Sequence, residues 1–270
     1  MNNLKMKHTF GVLLGTILLV ISYGCGGKEA APETSEVKEA SAPAAPAGSV
    51  AVPTSGAKIT GIVKFTGDAP KMRDIDMSDE PVCVHKWEEW GMASKSETLV
   101  LGEGQSMANI FVSIKSGLSA QKYAPPTAPV VINQEGCAYK PHVFAVMKGQ
   151  PIVFKNSDGV LHNVHALPEK NREFNLAMPG SMTDAPPRAF KKVESMFRVK
   201  CDKHPWMLSY AAVMSHPYFS VTGLDGKFEI VGLPAGTYEV EAWHEKLGTQ
   251  VSSITVAADS SETVDFAFSR

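Results

Sequence analysis

Cys201-Asp202-Lys203-His204-Pro205-Trp206-Met207 sets a thiol, an imidazole and a thioether at every third position of one short stretch. A turn there can aim Cys201 and His204 at a single point, and Met207 can approach the same point axially. Met196-Phe197-Arg198-Val199-Lys200 leads in as a strand, with Phe197, Val199 and Cys201 on one face and Arg198 and Lys200 on the other. Upstream, Leu161-His162-Asn163-Val164-His165 supplies a second imidazole. In an extended segment His162 and Val164 face one way, Asn163 and His165 the other, so His162 rather than His165 is the expected partner of Cys201.

Soft sulfur stabilises Cu(I), and imidazole serves both Cu(I) and Cu(II). His162, Cys201, His204 and a weak Met207 therefore make up the donor set of a one-electron copper site. Ligands from two distant segments let a rigid body hold the ion nearly still while its charge changes. A lone Cys-x-x-His carries little weight. The added Met207, the strand into Cys201 and the separate His162-Asn163 pair make the combination specific. The competing reading is a buried free cysteine with unrelated histidines.

From Lys58 onward, short apolar runs bounded by Gly, Pro, Asn and Asp dominate. Residues 59–65, 107–114, 130–132, 142–147, 151–155, 228–230, 238–243, 251–256 and 263–268 read as strands. Many short strands at this spacing predict an all-β protein built of β-sandwiches. Helices are expected only at 80–90 and, shorter, at 207–214.

Two resemblances organise these strands. Tyr139 and Pro141, then Val146-x-x-Gly149-Gln150-Pro151-Ile152-Val153-Phe154, Asn156-x-Asp158 and His162-Asn163, with the strand into Cys201, resemble a cupredoxin, the blue-copper Greek-key sandwich. The Cys-x-x-His-Pro-aromatic-Met ending is similar to the amicyanin type, and the resemblance covers residues 128–216. It implies one type 1 copper per chain on His162, Cys201, His204 and Met207. It also implies that Asn163 hydrogen-bonds across to the cysteine loop and orients it. The second resemblance rests on residues 221–230 (VTGLDGKFEI) and on Leu233-Pro234-Ala235-Gly236-Thr237-Tyr238. They are similar to the hairpin of carboxypeptidase regulatory-like, transthyretin-like sandwiches. Such a domain begins with strands like 59–65 and 109–115, which here precede the copper region. The expected layout is thus a split transthyretin-like sandwich, 58–117 with 219–270, around an inserted cupredoxin at 118–218. The whole also resembles bacterial methylamine-utilisation or plastocyanin-like proteins, a family name that does not imply methylamine chemistry.

The chain has 270 residues, 44% of them hydrophobic, and a net charge of -2, enough for a sizeable core and without the basic excess that nucleic acid demands. Residues 1–24 read as an export signal. Lys5 and Lys7 precede an apolar run from Phe10 to Ile21, too short to span a bilayer comfortably. Ser22-Tyr23-Gly24-Cys25 resembles the lipobox of bacterial lipoproteins, from which Ser22 and Tyr23 depart. It implies a diacylglycerol on Cys25; ordinary cleavage nearby is the alternative. Gly26 fits sorting to the outer membrane rather than the inner. Residues 25–57 are rich in Ala, Pro, Glu, Ser and Gly, cannot bury enough surface to offset their ordering entropy, and read as a disordered tether.

With Cys25 given to lipid and Cys201 to metal, Cys83 and Cys137 are left as a disulfide pair in an oxidising compartment. The rival reading joins Cys83 to His85 in a second metal site. His142, His216 and His244 read as hydrogen-bonded structural histidines, with a second, non-blue metal site as the alternative. Pro205 and Trp206 flank His204, an imidazole edge in an apolar patch where a redox partner would dock; plain core packing of Trp206 is the other reading. The sequence thus predicts a lipid-anchored protein of the bacterial periplasm and not an enzyme. It would pass single electrons through the His204 edge to a c-type cytochrome or an oxidoreductase. A copper carrier or store, a copper enzyme with a second metal, and a surface adhesion module are the rivals.

Overall fold

Val143–Met147 is buried at every position, and residues 209–213 likewise, where a half-covered strand would alternate. Strands of that kind must lie in sheets covered on both faces. The structure, a computed structural model, describes residues 55–270. In chain order its elements are β1 (Ala57–Phe65), α1 (Pro81–Glu89), β2 (Phe111–Ser116), β3 (Val130–Gln134), β4 (Tyr139–Lys140), β5 (Val143–Met147), β6 (Ile152–Asn156), β7 (His162–Leu167) and β8 (Phe174–Met178). They continue with β9 (Glu194–Lys200), β10 (Leu208–Met214), β11 (Phe219–Val221), β12 (Lys227–Leu233), β13 (Gly236–His244), β14 (Gly248–Val256), β15 (Ser261–Thr263) and β16 (Phe266–Phe268). Among the described residues the protein is all β apart from α1 and one short 3-10 turn.

The strands form four sheets: β4-β3-β6, β5-β10-β9-β7-β8, β11-β2-β13-β14, and β12-β1-β15 with β16 also on β1. Three apolar cores lie between them. Ile132, Phe154 and Tyr139 of the first sheet meet Val146, Val164, Val199 and Val213 of the second. Phe111, Phe219 and Trp243 of the third sheet meet Val143, Tyr210 and Ala212 on the other face of the second. Val112, Ile114 and Val240 of the third meet Ile59, Val63 and Ile230 of the fourth. The five-stranded sheet is therefore an inner layer where β5 and β10 lie, and those two strands read as near-continuous apolar runs for that reason, while β8 and β9 alternate.

The ends of the described chain come together. β1 pairs antiparallel with β12 and parallel with β15 and β16, while β2 pairs with β11 and β13. The strands from β3 to β10 fall between those halves in sequence and pair only with one another.

Two expectations need correction. Residues 207–214 are not helical. Leu208–Met214 is β10, bonded to β5 on one side and β9 on the other, and it feeds Ala211 and Val213 into one core and Tyr210 and Ala212 into another. That two-residue period, with two partners, overrides the helical propensity of its alanines and methionine. The tether also ends earlier than residue 57, since Ala57 is buried in β1 opposite Leu233. Residues 1–54, with the export signal, Cys25 and most of the tether, lie outside the described residues. Among the described residues no helix is long and apolar enough to cross a membrane.

Candidate metal centre

β7 and β9 are neighbours in the five-stranded sheet, with Ala166 opposite Val199. That pairing brings the start of β7, His162, beside the end of β9, where Cys201 follows. The chain then turns back into β10 through a closed loop: the Met207 amide donates to the His204 carbonyl (3.0 Å) and the Cys201 amide to the Met207 carbonyl (3.1 Å). His162 Nδ1 stands 2.9 Å from His204 Nδ1, and Cys201 Sγ is 3.7 Å from that same His204 nitrogen. One donor atom from each of the three residues falls within 4.8 Å of the others. All three are buried, as is Met207 in the core that holds Cys201.

The outer nitrogens decide what the inner ones can do. His162 Nε2 is 2.8 Å from Asp158 Oδ2. The Asp158 side chain is fully buried and also accepts the amides of Gly136 (2.7 Å) and Cys137 (2.8 Å). Burial works against its charge, but His162 and those amides outweigh it and hold the carboxyl below its ordinary range. A carboxylate only accepts, so the proton of a neutral His162 is on Nε2 and its Nδ1 presents a lone pair. His204 repeats the arrangement, with Nε2 at 3.4 Å from Glu80 Oε2. The two Nδ1 atoms thus face each other across 2.9 Å, beside a sulfur. Burial works against a charge on His162, but Asp158 and the Cys201 sulfur outweigh it and raise the ring's affinity for a proton, so the gap between the nitrogens calls for a shared proton or a metal cation. Burial opposes ionisation of the Cys201 thiol, yet hydrogen bonds from His162, His204 and the Asn163 amide bring it down from 9.0 to about 6. The residues fit a soft, thiolate-accepting cation.

Asn163 ties the two ligand segments together. Its Oδ1 accepts the amides of Asp202 (2.7 Å) and Lys203 (3.3 Å) and faces Cys201 Sγ at 3.2 Å, while its own amide points at that sulfur (3.5 Å). Its Nδ2 donates to Asn175 Oδ1 (2.7 Å) and Asp202 Oδ2 (3.1 Å). His165 faces away from the donors and bonds Asp202 (2.9 Å) and Glu173 (2.8 Å).

The exposed His204 edge expected from the sequence is not there. His204 is 1% accessible, and Glu80 lies over its outer nitrogen. Glu80 begins a strap continued by α1 and fastened to the turn at Gly136-Cys137. Cys83 is bonded to Cys137, Trp87 Nε1 donates to the Gly136 carbonyl (2.8 Å), and Lys86 Nζ reaches the Ser157 carbonyl (3.2 Å). Gly136 has φ +67°, and a Cβ there would come within 2.5 Å of the Trp90 ring, so the strap closes only over glycine. Trp206 is partly buried and packed on the core, donating to the Cys137 carbonyl (3.1 Å).

Cys83 lies in the disulfide, so it forms no metal site with His85, whose Nδ1 pairs with Glu88 at the surface (3.2 Å). His216 accepts the Tyr218 amide, and His244 those of Lys246 and Leu247. His142 is clamped between Glu245 (2.9 Å) and Glu97 (3.5 Å). Among the described residues one further trio of donors converges, Cys137, Asp158 and His162, but its sulfur is the disulfide's. Sequence reasoning missed Asp158 and Glu80 as partners of the histidines. Asp158 was visible as Asn156-x-Asp158 just before His162; for Glu80 there was no signal.

No protein-family model matches the chain, and no curated protein does. Solved structures do. A Cu(I) mutant of amicyanin is 21% identical with a TM-score of 0.28, over 38% of this chain and 98% of that one. An oxidised mutant of amicyanin is 18% identical, TM-score 0.29, over the same shares. A Cu-containing nitrite reductase from Thermus scotoductus SA-01 is 17% identical, TM-score 0.31, over 37% of this chain and 26% of that one.

Proposed function

We propose that the chain would hold one type 1 copper on His162, Cys201 and His204, with Met207 as a further weak sulfur donor, and acts as a one-electron carrier. Two carboxylate-oriented imidazoles whose Nδ1 atoms face each other 2.9 Å apart, beside a buried thiol held well below its ordinary range, carry this reading. Bound copper would supply a Cu(I)/Cu(II) couple. The residues around it bind, orient and keep out water: Asp158 and Glu80 set the tautomers, and Asn163 braces the thiolate. Donors so deeply enclosed favour a firmly held ion over a carrier that hands copper on. Export, a lipid on Cys25 and a c-type cytochrome or oxidoreductase partner in the bacterial envelope belong to the same proposal, resting on residues 1–25 and on the redox role.

Copper titration tests it. Cu(II) should bind at roughly one per chain and raise an intense thiolate charge-transfer band near about 600 nm, and Cys201→Ser should abolish the band. Copper bound without that band would sink the reading.

A further inference from the structure

With the His204 edge closed, the question is where an electron would leave. The Cys201 sulfur has a second hydrogen-bonded way out. Asn163 Oδ1 faces Sγ at 3.2 Å, Asn163 Nδ2 donates to Asn175 Oδ1 at 2.7 Å, and Asn175 lines a groove of about 810 Å3 on the outer side of β8. Lys170, Arg172, Arg188, Lys191 and Lys192 line the same groove, all five exposed, against one acidic residue, Glu173, whose carboxylate bonds His165. Among the described residues none of the five cations is paired with a carboxylate. The floor is aromatic, from Phe154, Phe174 and Phe190, with the Arg188 guanidinium over the Phe174 ring at 4.6 Å.

The groove is built rather than incidental. Buried Glu194 accepts the amides of Glu169, Lys170 (2.8 Å) and Asn171 (3.1 Å) and so shapes the loop that carries Lys170 and Arg172. Asn171 Oδ1 in turn accepts the amides of Lys191 (2.8 Å) and Lys192 (2.9 Å), locking the second basic loop to the first. Two braced loops that bring five cations and one carboxylate to the groove, over low-dielectric walls, concentrate positive potential and steer anions to that spot.

We infer that this groove docks the acidic face of a partner redox protein, and that electrons pass from Cys201 through Asn163 and Asn175 rather than through His204. This rests on the electron-carrier reading. The step balances as one electron leaving Cu(I), which becomes Cu(II), for a one-electron acceptor in the partner, with no proton or bond exchanged. A concave site ringed by cations suits a protruding cluster of carboxylates, where a flat anionic bilayer would touch only the rim.

The test uses two probes on the full chain. Redox-inert hexacyanocobaltate(III), followed by amide NMR on the metal-free protein, should shift residues 170–175 and 188–192, and Arg172→Glu/Lys192→Glu should erase those shifts. Oxidation of the Cu(I) protein by hexacyanoferrate(III) should slow roughly 10-fold in that variant at about 10 mM ionic strength and recover toward wild type near about 0.5 M salt. The neutral Arg172→Gln/Lys192→Gln should fall between. Oxidation by cationic tris(phenanthroline)cobalt(III) should not slow. Equal rates in wild type and variants, or shifts elsewhere, overturn the groove while leaving the copper reading intact. Shifts in the groove without electron exchange to either oxidant overturn the route and the carrier reading together. Co-sedimentation with phosphatidylglycerol vesicles that the variant loses would reassign the surface to a membrane and overturn the protein partner.

Discussion

The two sandwich cores of this protein are built alike and filled differently. The one shared by β1, β2, β12 and β13 is mostly aliphatic: Ile59, Val63, Ile110, Ile114, Ile230 and Val240 fill it, and Tyr218 and Tyr238 turn their hydroxyls to backbone carbonyls. The one shared by β3, β7 and β9 buries Asp158, His162, Asn163, Cys201 and His204 among its aliphatic residues. Every one of those polar side chains has a partner, and the partners form one chain from Gly136 through Asp158 and His162 to His204 and Glu80. A buried polar group without its partner costs free energy, so such a network survives only if it is complete. The contrast teaches that one core can supply rigidity and the other can be given over to chemistry.

The sharpest way to break the comparison is to injure each core equally. Ile230→Ala should cost about 3–4 kcal/mol, as fully buried aliphatic truncations do, and leave the copper band unchanged. Asp158→Ala should cost about 3 kcal/mol by stripping His162 and two amides of their acceptor, and should also weaken copper binding roughly 10- to 100-fold. Denaturation curves with copper titrations on both variants check this. If Ile230→Ala disturbs the band as much, the two cores are not separable.

A smaller effect probes the seam between the sheets. Burial disfavours the His142 imidazolium, but Glu245 and Glu97 overcome that and raise it from 6.5 to about 9. A raised value means that the stabilisation is complete below about pH 6.5 and is lost as pH climbs through 9, on the order of 2–3 kcal/mol. Unfolding free energies from pH 6 to 10 should show this decline, and His142→Gln should flatten it. The least effect on stability belongs to Glu80→Gln, below about 1 kcal/mol for a partly exposed carboxylate. Loss of its negative charge beside His204 should raise the copper reduction potential, read by voltammetry. An unchanged potential would show that Glu80 covers the ligand without acting on it.

Much of this was legible along the chain because it is local. Cys201, His204 and Met207 lie within one turn, so their spacing alone brings them near a point, and the two-residue period of Phe197, Val199 and Cys201 shows which way the thiol faces. β10 reads as helix along the chain because its alanines, leucine and methionine favour one, and only its two strand partners overrule them.

By itself, the sequence determined the all-β class and a copper-like set of donors, since periodicity and donor chemistry are properties of neighbours along the chain. Tertiary structure alone decided how that set is oriented and what surrounds it. Glu80 reaches His204 across 124 positions, and Asn175 meets Asn163 only through the pairing of β7 with β8. Contacts over such distances leave no period in the sequence, because what places them is the register of strands and the shape of the loops between.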